Sequence, residues 1–373
     1  METTISKMNI VHVIPTLSTG GAEQFVITLA NEMSREHNVT IITLFSSQND
    51  IVKKRIIPSV KLIELNLALE KKLSAAYQIN FALHKIKPSI VHTHLSSPLY
   101  ILPYAIFKRN QCNFVHTVHN IAEFDAPRKI NKYANNIYFK KCNALPVSIT
   151  EKVAESVKNY YQITNNIVIH NGTNAIGVTD NYNKVKAKIK EIKSAHKFVL
   201  CHVARIDPQK NHKLLLDTIK LIPDCYVISM GAITKDNENY ANDLLSMACH
   251  IENFEYIGVV SNVSDYITAC DAIIFSSNFE GLPISLIESM SIGKICISTP
   301  AGGITDVLDN KVGFLSDGFS VKALKSAVEL FISVSDDERN EIQAQIIKKY
   351  HKVYSIDNCA KSYIEVYNRR SCI

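Results

Sequence analysis

The amino-acid sequence predicts an α/β protein with two domains, each a parallel β-sheet covered by helices on both faces. The chain has 373 residues, more than one ordinary hydrophobic core accommodates. In both halves short apolar segments alternate with amphipathic ones, which is typical of parallel sheets with helical crossovers. The turn signal Asn171-Gly172 separates the halves. We therefore expect Rossmann-like domains over residues 1–175 and 176–355, followed by a C-terminal segment, 356–373.

The first half contains six predicted strands. Each candidate is a short apolar run bounded by polar or turn-forming residues, and the segments between them have helical spacing. Residues 1–7 are expected to form a loose extension ahead of the first strand. The predicted strands are Asn9–Pro15, Asn38–Phe45, Lys61–Leu65, Ile90–His94, Asn113–Val118 and Ala144–Val147, and the clearest helices are Ala22–Met33, Leu69–Lys85 and Lys129–Phe139.

The second half repeats this alternation and ends in a helix. The final segment carries an apolar stripe of Ala360, Tyr363, Ile364 and Tyr367 at helical spacing. The predicted strands are Phe198–Ala204, Tyr226–Met230, Phe254–Ile257, Ala272–Phe275 and Ile295–Ser298, and the predicted helices are Tyr182–Lys197, Lys213–Ile219, Val263–Ala269, Ile284–Met290 and Asn358–Arg369.

Composition indicates a globular protein of a reducing compartment. The chain is 46% hydrophobic and 20% charged, which is a folded rather than a disordered composition. The longest apolar run, Leu99 to Phe107, is too short to cross a membrane and contains Pro103, and the N-terminus lacks a signal-peptide pattern. The nine cysteines show no C-x-x-C pair or regular spacing. We expect a cytoplasmic protein.

The positive charge of the chain is concentrated in its first half. Residues 1–170 hold 19 Lys and Arg against 11 Asp and Glu, whereas residues 171–373 hold 22 against 24. The excess either solubilises the surface or attracts anionic lipid at the inner face of the cytoplasmic membrane. Nucleic acid is not an expected partner, because the basic clusters lack interleaved aromatic residues.

The most informative segment is Glu280-Gly281-Leu282-Pro283, followed at the eighth position after Glu280 by Glu288. The flanking patterns place the first glutamate in a strand-to-helix loop and the second at least one turn into the helix. A helix N-terminus at the carboxyl edge of a parallel sheet favours anions, and carboxylates beside it can accept hydrogen bonds from sugar hydroxyls. The segment indicates a nucleotide-sugar site; the alternative is two ordinary exposed glutamates.

Two further loops have residues suited to phosphate. Arg205 and Lys210 follow a predicted strand and could converge on one pyrophosphate, since arginine offers a planar fork and lysine a point charge. Gly20-Gly21 opens the first helix and could present backbone N–H groups to phosphate. Taken alone, the cations could be solvated and the glycines a tight turn, because the dinucleotide spacing G-x-G-x-x-G is absent.

Together these segments resemble retaining glycosyltransferases of the GT-B fold, specifically glycosyltransferase family four of the bacterial envelope and exopolysaccharide type. Glu280 and Glu288 resemble its Glu-x7-Glu signature, and Gly20-Gly21-Ala22-Glu23 is similar to its first glycine loop. The resemblance implies two Rossmann-like doubly wound domains facing across a cleft. The first would bind the acceptor and the second the nucleotide sugar, and the C-terminal helix would cross back to the first.

The resemblance also implies roles for individual residues. Arg205 and Lys210 match the family's pair on the donor pyrophosphate, Glu280 would hold hydroxyls of the donor sugar, and Glu288 would hold the ribose. His119, at the end of a predicted strand, would contact the transferred sugar near its reactive carbon. Retention would proceed by front-face attack, with the phosphate of the donor accepting the proton. The expected donor site also includes the loop from Glu280 to Pro283 and the first glycine pair.

A metal or other cofactor is not expected. His92, His94 and His116 invite a metal interpretation together with His119, but the first two lie in an apolar strand without accompanying carboxylates. Members of the resembled family usually need no metal. His119 itself could alternatively be a strand-end histidine with satisfied hydrogen bonds.

A paired-glycine loop, Gly302-Gly303 followed by Asp306, also resembles a loop of the family. Asp306 replaces the commoner glutamate, so no catalytic role is assigned to it.

The predicted activity is transfer of a sugar from a nucleoside diphosphate, by family habit UDP although GDP donors also occur, to a hydroxyl of a glycan or lipid-linked glycan. Another GT-B activity, such as a nucleotide-sugar epimerase or a phosphorylase, is an alternative within enzymes. A catalytically silent sugar-nucleotide scaffold is the alternative outside them. A dehydrogenase fits less well, because the first glycine loop lacks the dinucleotide spacing.

Overall fold

The computed structural model describes residues 7–18, 20–46, 50–309 and 311–370. The chain divides into two compact units. Unit 1 comprises Met1–Thr173 with Val353–Ile373, and unit 2 comprises Asn174–Lys352. Most of the predicted extension at residues 1–7 lies outside the described residues.

Unit 1 is a seven-stranded parallel sheet with helices on both sides. The strand order is β3-β2-β1-β4-β5-β6-β7, so the direction of winding reverses between β1 and β4. The strands are β1 Asn9–Ile14, β2 Asn38–Phe45, β3 Val60–Leu67, β4 Ile90–His94, β5 Asn113–Val118, β6 Leu145–Ser148 and β7 Ile167–Val168. The helices are α1 Gly21–Met33, α2 Asp50–Lys53, α3 Lys72–Ile86, α4 Pro98–Lys108, α5 Ala122–Asp125, α6 Lys129–Lys141 and α7 Glu151–Tyr161.

Unit 2 is a six-stranded parallel sheet of the same type. Its strand order is β10-β9-β8-β11-β12-β13, with the reversal between β8 and β11. The strands are β8 Phe198–Val203, β9 Cys225–Met230, β10 Phe254–Tyr256, β11 Ala272–Phe275, β12 Ile295–Ser298 and β13 Phe314–Leu315. The helices are α8 Tyr182–Ile192, α9 His212–Ile219, α10 Glu238–Ala248, α11 Val263–Ala269, α12 Ile284–Ser291, α13 Ile304–Val307, α14 Val321–Ser333 and α15 Asp336–Lys349. The two sheets confirm the predicted fold class.

The C-terminal helix, α16 Ile356–Arg370, belongs to unit 1 and packs against α1. Tyr363 and Tyr367, two members of the predicted stripe, are fully buried. Both hydroxyls form 2.7 Å hydrogen bonds inside unit 1, Tyr363 with Thr117 Oγ1 and Tyr367 with His92 Nδ1. The helix therefore completes the core of unit 1, because it covers polar groups of the central strands as well as apolar ones.

Several elements differ from the sequence-based prediction. Strands β7 and β13 were not predicted, because two residues carry no detectable alternation. The run considered as a membrane candidate is α4, which begins with Pro98 in the first turn and accommodates Pro103. The helix predicted over Leu69–Lys85 begins only at Lys72, and the one predicted to reach Lys197 ends at Ile192. Helices α5, α7, α10, α13, α14 and α15 were not predicted either.

Within the described residues, no helix combines the length and apolarity that a membrane crossing requires. The eight cysteines that the structure describes are free thiols, and Cys249 is the exposed one among them.

A glycine at the predicted turn permits a close backbone approach in unit 1. A Cβ atom on Gly172 would lie 2.7 Å from Cys359 Cβ and 2.8 Å from the Ser355 carbonyl oxygen. Beside it, Thr173 N–H donates to the Tyr354 carbonyl and Ile356 N–H donates to the Thr173 carbonyl. The segment that leaves unit 1 is thus hydrogen-bonded to the segment that returns to it.

We predict that Gly172→Ala lowers the free energy of unfolding by about 1 to 3 kcal/mol, because the added methyl group overlaps backbone and a buried side chain. Urea unfolding followed by circular dichroism measures the change. Gly177→Ala is the matched control, since a Cβ at Gly177 meets no atom within 4 Å. Equal stability of the two variants would contradict the close approach.

Candidate active site

The reversal of strand order in unit 2 brings two loops together at the carboxyl edge of its sheet. One loop follows β8 and carries Arg205 and Lys210; the other follows β11 and carries Glu280. At such a reversal in a parallel sheet, the helices that follow the two neighbouring strands run to opposite faces, and a crevice opens between them. Parallel α/β sheets bind ligands at this position.

Lys210 and Glu280 form an ion pair within this crevice. Lys210 Nζ lies 2.5 Å from Glu280 Oε1, and Ser277 Oγ donates a 2.6 Å hydrogen bond to the same oxygen. The side chains are largely buried, at 18% exposed for Lys210 and 7% for Glu280. Burial of a carboxylate is tolerated here because both a cation and a hydroxyl compensate it. Both bonds go to Oε1, so Oε2 is the oxygen of Glu280 available to a ligand.

Hydrogen bonds between the two loops fix the position of this pair. Gln209 Nε2 donates to the Phe279 carbonyl at 2.9 Å, and Asn278 N–H donates to the Gln209 carbonyl at 2.8 Å. Ser276 Oγ donates to the Lys210 carbonyl at 2.9 Å. Sequence reasoning did not identify these polar residues. Their only signal was the polar run that directly follows an apolar strand.

A third loop, after β12, contacts the backbone of Glu280. Gly303 N–H donates to the Glu280 carbonyl at 3.0 Å. Gly302 has φ +54°, and a Cβ there would lie 2.1 Å from the Glu280 carbonyl oxygen. Glycine is required at position 302 because a side chain there would overlap the backbone of the glutamate.

The rest of the signature segment leads from a loop into a helix, as the sequence predicts. Gly281 and Leu282 are buried, and Pro283 precedes the first residue of α12. Glu288 is the fifth residue of α12 and is half-buried. That these residues bind the donor is a prediction from the sequence resemblance.

Arg205 lies on the same loop as Lys210 but differs in its surroundings. Its side chain is exposed, whereas Lys210 is held in the ion pair. Between them, Asp207 accepts a 2.8 Å hydrogen bond from Gln209 N–H and starts the helical turn Pro208–Lys210. The turn therefore directs the lysine toward the crevice and leaves the guanidinium of Arg205 on the surface.

In unit 1, the first glycine loop also follows the strand beside the reversal. Gly20 precedes α1 and Gly21 begins it. A Cβ on Gly20 would lie 2.3 Å from Glu23 Oε2, and Ser18 Oγ donates a 2.6 Å hydrogen bond to Glu23 Oε1. The buried carboxylate of Glu23 folds back over the loop, so a side chain at position 20 would have to displace this carboxylate. Phosphate binding by this loop stays a prediction.

A chain of hydrogen-bonded histidines connects His119 to the core of unit 1. His119 Nε2 lies 3.0 Å from His94 Nδ1, and His94 Nε2 lies 3.2 Å from His12 Nδ1. Backbone N–H of His119 also donates to Asp125 Oδ1 at 3.0 Å. Because each inter-ring bond needs one donor and one acceptor, the tautomers of the three rings are coupled. His119 is thus fixed in orientation at the half-buried end of the chain.

The histidine cluster in the structure contains one residue, His12, that was not considered from the sequence. His12, His92 and His94 offer nitrogen atoms that all lie within 4.8 Å of one another, and His12 was missed because it lies far away in the chain. Register explains the cluster: His12 pairs with His92 across β1 and β4. Both nitrogens of His92 already have partners, Thr117 Oγ1 at 2.7 Å and Tyr367 at 2.7 Å. As they stand, these atoms are part of a hydrogen-bond network rather than a convergent set of ligands.

Burial keeps this histidine network neutral. Desolvation lowers the pKa of His12 to about 3 and that of His119 to about 4, although Asp125 opposes the shift at His119. Desolvation followed by neighbouring imidazoles lowers the pKa of His92 and His94 well below the usual value. His119 is therefore an uncharged imidazole near neutral pH, able to form hydrogen bonds without adding a positive charge.

We predict a marked loss of stability in mild acid. The unfolded chain protonates these histidines near pH 6.5, whereas the folded chain does not until much lower pH, so acid stabilises the unfolded state. Protonation of His12 and His119 in the unfolded chain should by itself lower the free energy of unfolding by about 2 to 3 kcal/mol when the pH falls from 6 to 5. Urea unfolding at both pH values tests this. His119→Asn should reduce the difference by about 1 kcal/mol, and a pH-independent free energy would contradict the neutral network.

Comparison with known proteins identifies two family domains in the chain. Residues 19–175 match the model of the Glycosyltransferase Family 4 domain, and residues 183–350 match that of Glycosyl transferases group 1. The chain is 25% identical to the UDP-Gal:alpha-D-GlcNAc-diphosphoundecaprenol alpha-1,3-galactosyltransferase of Escherichia coli, over 98% of this chain and 99% of that protein. It is 22% identical to the capsular polysaccharide biosynthesis glycosyltransferase CapH of Staphylococcus aureus, over 78% and 81% of the two chains.

Solved structures show the same fold at low sequence identity. Anabaena HepE, solved in complex with UDP and glucose, superimposes with a TM-score of 0.80 at 16% identity, covering 97% of this chain and all of that one. A glycosyltransferase from Rickettsia africae gives a TM-score of 0.80 at 20% identity, covering 98% of both chains. With one family domain matched in each unit, the chain belongs to the GT-B glycosyltransferases that join a family 4 domain to a group 1 domain.

Proposed function

We propose that this glycosyltransferase transfers a sugar from a UDP-sugar to a hydroxyl of a lipid-linked glycan, with retention of anomeric configuration, during synthesis of a bacterial envelope polysaccharide. The observation that carries the proposal is the buried Lys210–Glu280 pair at the strand-order reversal of unit 2. It places a cation for phosphate beside a carboxylate for sugar hydroxyls, which are the two chemical features of a nucleotide sugar.

In the proposed mechanism, Lys210 and Arg205 stabilise the charge that develops on the departing diphosphate. Lys210 is pre-positioned by its pair with Glu280, and the exposed Arg205 completes the cationic side of the site when donor binds. Such pre-organised charges stabilise a transition state because they need no reorganisation during the reaction. Two protein cations can fill this role without a metal ion, which supports a metal-independent reaction.

Glu280 and Glu288 would orient the donor rather than attack it. Oε1 of Glu280 is engaged by Lys210 and Ser277, so its nucleophilicity is reduced and Oε2 is suited to accept a hydrogen bond from a sugar hydroxyl. A covalent intermediate on this carboxylate is therefore disfavoured. Front-face attack, with the donor phosphate accepting the proton of the acceptor, accounts for retention. Glu288 would accept hydrogen bonds from the ribose, and the neutral His119 would contact the transferred sugar.

The choice of donor and acceptor class is supported by related proteins. The similar HepE structures contain UDP or UDP-glucose, and the E. coli relative is named for a UDP-galactose donor. Its acceptor is a diphosphoundecaprenol-linked sugar, and a Campylobacter jejuni relative, 23% identical over 87% of this chain, is also named for an undecaprenol-linked acceptor. We infer a cytoplasmic protein that works at the inner face of the cytoplasmic membrane, where such acceptors are extended.

A catalytically silent scaffold is the second candidate, and an epimerase or a phosphorylase is a third. A silent protein would have no need for a desolvated lysine–glutamate pair, which makes the scaffold less favourable than the transferase. Conversion of the donor without acceptor would instead identify an epimerase.

We predict that Lys210→Ala and Glu280→Gln each lower turnover by about 100-fold or more, because each removes one of the pre-organised groups. Radiolabelled sugar transfer from UDP-sugars to an undecaprenol-diphosphate-linked acceptor measures this. Lys213→Ala is the matched control, since its exposed ammonium pairs only with Asp217 on the same helix. Near-normal turnover of a folded Lys210 or Glu280 variant would remove that residue from the mechanism.

We predict that UDP raises the thermal stability of the protein more than GDP or ADP does. At about 100 times its dissociation constant, a ligand adds about 2.7 kcal/mol to the free energy of unfolding. Glu288→Ala should abolish the shift by removing the ribose contact. Stabilisation by another nucleotide would change the donor class, and no stabilisation by any nucleotide would favour the scaffold.

We predict that Gly302→Ala lowers UDP-sugar affinity and turnover together, because its methyl group would displace the Glu280 carbonyl. Gly258→Ala controls for backbone strain: Gly258 has φ +72°, but a Cβ there meets no atom within 4 Å. A Gly302 variant that behaves like the Gly258 variant would show that this loop does not position the glutamate.

A further inference from the structure

Three helices of unit 1 form one layer over the sheet, with α4 packed between α3 and α6. The buried side of α3 is a stripe of Ala75, Ile79 and Leu83, spaced four residues apart. This stripe is covered by the body of unit 1, and Asn80 and His84 beside it contact α4. The opposite side of α3 should then be polar, as in an ordinary surface helix.

The outer side of α3 is apolar instead. Leu73, Tyr77 and Phe81 also follow one another at four-residue spacing, and they are 89%, 74% and 64% exposed. Because residues at this spacing share a helix face, they form a continuous stripe, which Lys85 extends by one more turn. Single exposed apolar residues are ordinary on a protein surface, but a contiguous stripe of three large ones marks an interaction site.

The neighbouring helices add to this stripe. Phe107, at the end of α4, is 79% exposed, and Ile130 and Tyr133 of α6 are 58% and 69% exposed. We refer to the outer faces of α3, α4 and α6 as the basic apolar surface.

The charges around this surface have one sign. None of the three helices contains an acidic residue, and residues 71–141 hold 11 Lys and Arg against Glu123 and Asp125 alone. Lys72, Lys85 and Lys129 are exposed beside the apolar side chains. An apolar stripe flanked by cations is the pattern of a helix that lies in the plane of a membrane interface.

We propose that the basic apolar surface docks on a bilayer that contains anionic lipid. Large apolar side chains would enter the boundary between headgroups and acyl chains, tyrosines would lie at headgroup level, and lysines would meet lipid phosphates. A second copy of the chain fits this surface less well, because a two-fold contact would bring identical cations together. Docking deepens the proposed function, since it would hold the enzyme at the surface where a lipid-linked acceptor resides.

The test is co-sedimentation of the full chain with vesicles at low salt. Wild-type protein should bind vesicles that contain phosphatidylglycerol and bind pure phosphatidylcholine weakly, and salt should reduce binding by screening. The Leu73→Ser/Tyr77→Ser/Phe81→Ser variant should lose about tenfold or more of its vesicle affinity. The matched control is Leu221→Ser/Phe319→Ser/Leu330→Ser, which removes three exposed apolar residues from unit 2.

The proposal would be overturned by wild-type vesicle affinity of the α3 variant, by an equal loss of affinity in the control variant, or by equal binding of both vesicle types. Loss of a dimer in the α3 variant, measured by analytical ultracentrifugation, would overturn it in favour of a self-association surface. Thermal unfolding checks that both variants are folded.

Turnover on a short-chain, water-soluble acceptor separates this proposal from the proposed function. Normal transfer to that acceptor without vesicle binding would refute docking alone. Vesicle binding without transfer from any nucleotide sugar would refute the transferase alone.

Discussion

Neighbouring parallel strands are joined by crossover connections, and these connections are right-handed. The direction in which successive strands are added to the sheet therefore decides which face each helix covers. In both sheets the strand order reverses once, between β1 and β4 and between β8 and β11. At each reversal the helices that follow the two neighbouring strands run to opposite faces of the sheet. The first glycine loop, Lys210 and Glu280 lie beside these reversals, where a parallel sheet is open to ligands at its carboxyl edge.

Polar groups brought into these regions are buried, and their partners decide whether burial is tolerated. Glu280 is compensated by a cation and a hydroxyl, and the loops after β8 and β12 hold its own loop in place. In unit 1, His12, His94 and His119 form one hydrogen-bonded chain, and His92 bonds to Thr117 and to a tyrosine hydroxyl beside it. A buried polar group without a partner is costly in either place, so each of these groups depends on the bonds of its neighbours. This rigidity is suited to chemistry that depends on electrostatic pre-organisation.

The outer faces of three helices of unit 1 are both apolar and positively charged. Helices α3, α4 and α6 bury one side against the sheet and keep large apolar side chains on the other, with cations and no acidic residues. The charge excess of the first half of the sequence is therefore not spread evenly through its fold. It lies where large apolar side chains are exposed. Positive charge alone would only make a surface more soluble, whereas positive charge beside exposed apolar side chains favours docking on a membrane.

The sequence by itself determined the fold class, the principal strands and the residue types of the candidate site, because apolar periodicity and turn signals are local properties. It could also place Glu280 after a strand and Glu288 inside a helix. Only the tertiary structure decided that Lys210 pairs with Glu280 across 70 residues, that Gly302 lies against that glutamate, and that His12 joins His94 and His119. The sequence also left open that Leu73, Tyr77 and Phe81 of α3 face outward. Apolar residues at helical spacing share one face of a helix, but their spacing does not show whether the sheet covers that face. Strand register and winding order set these long-range contacts, and neither leaves a local pattern in the chain.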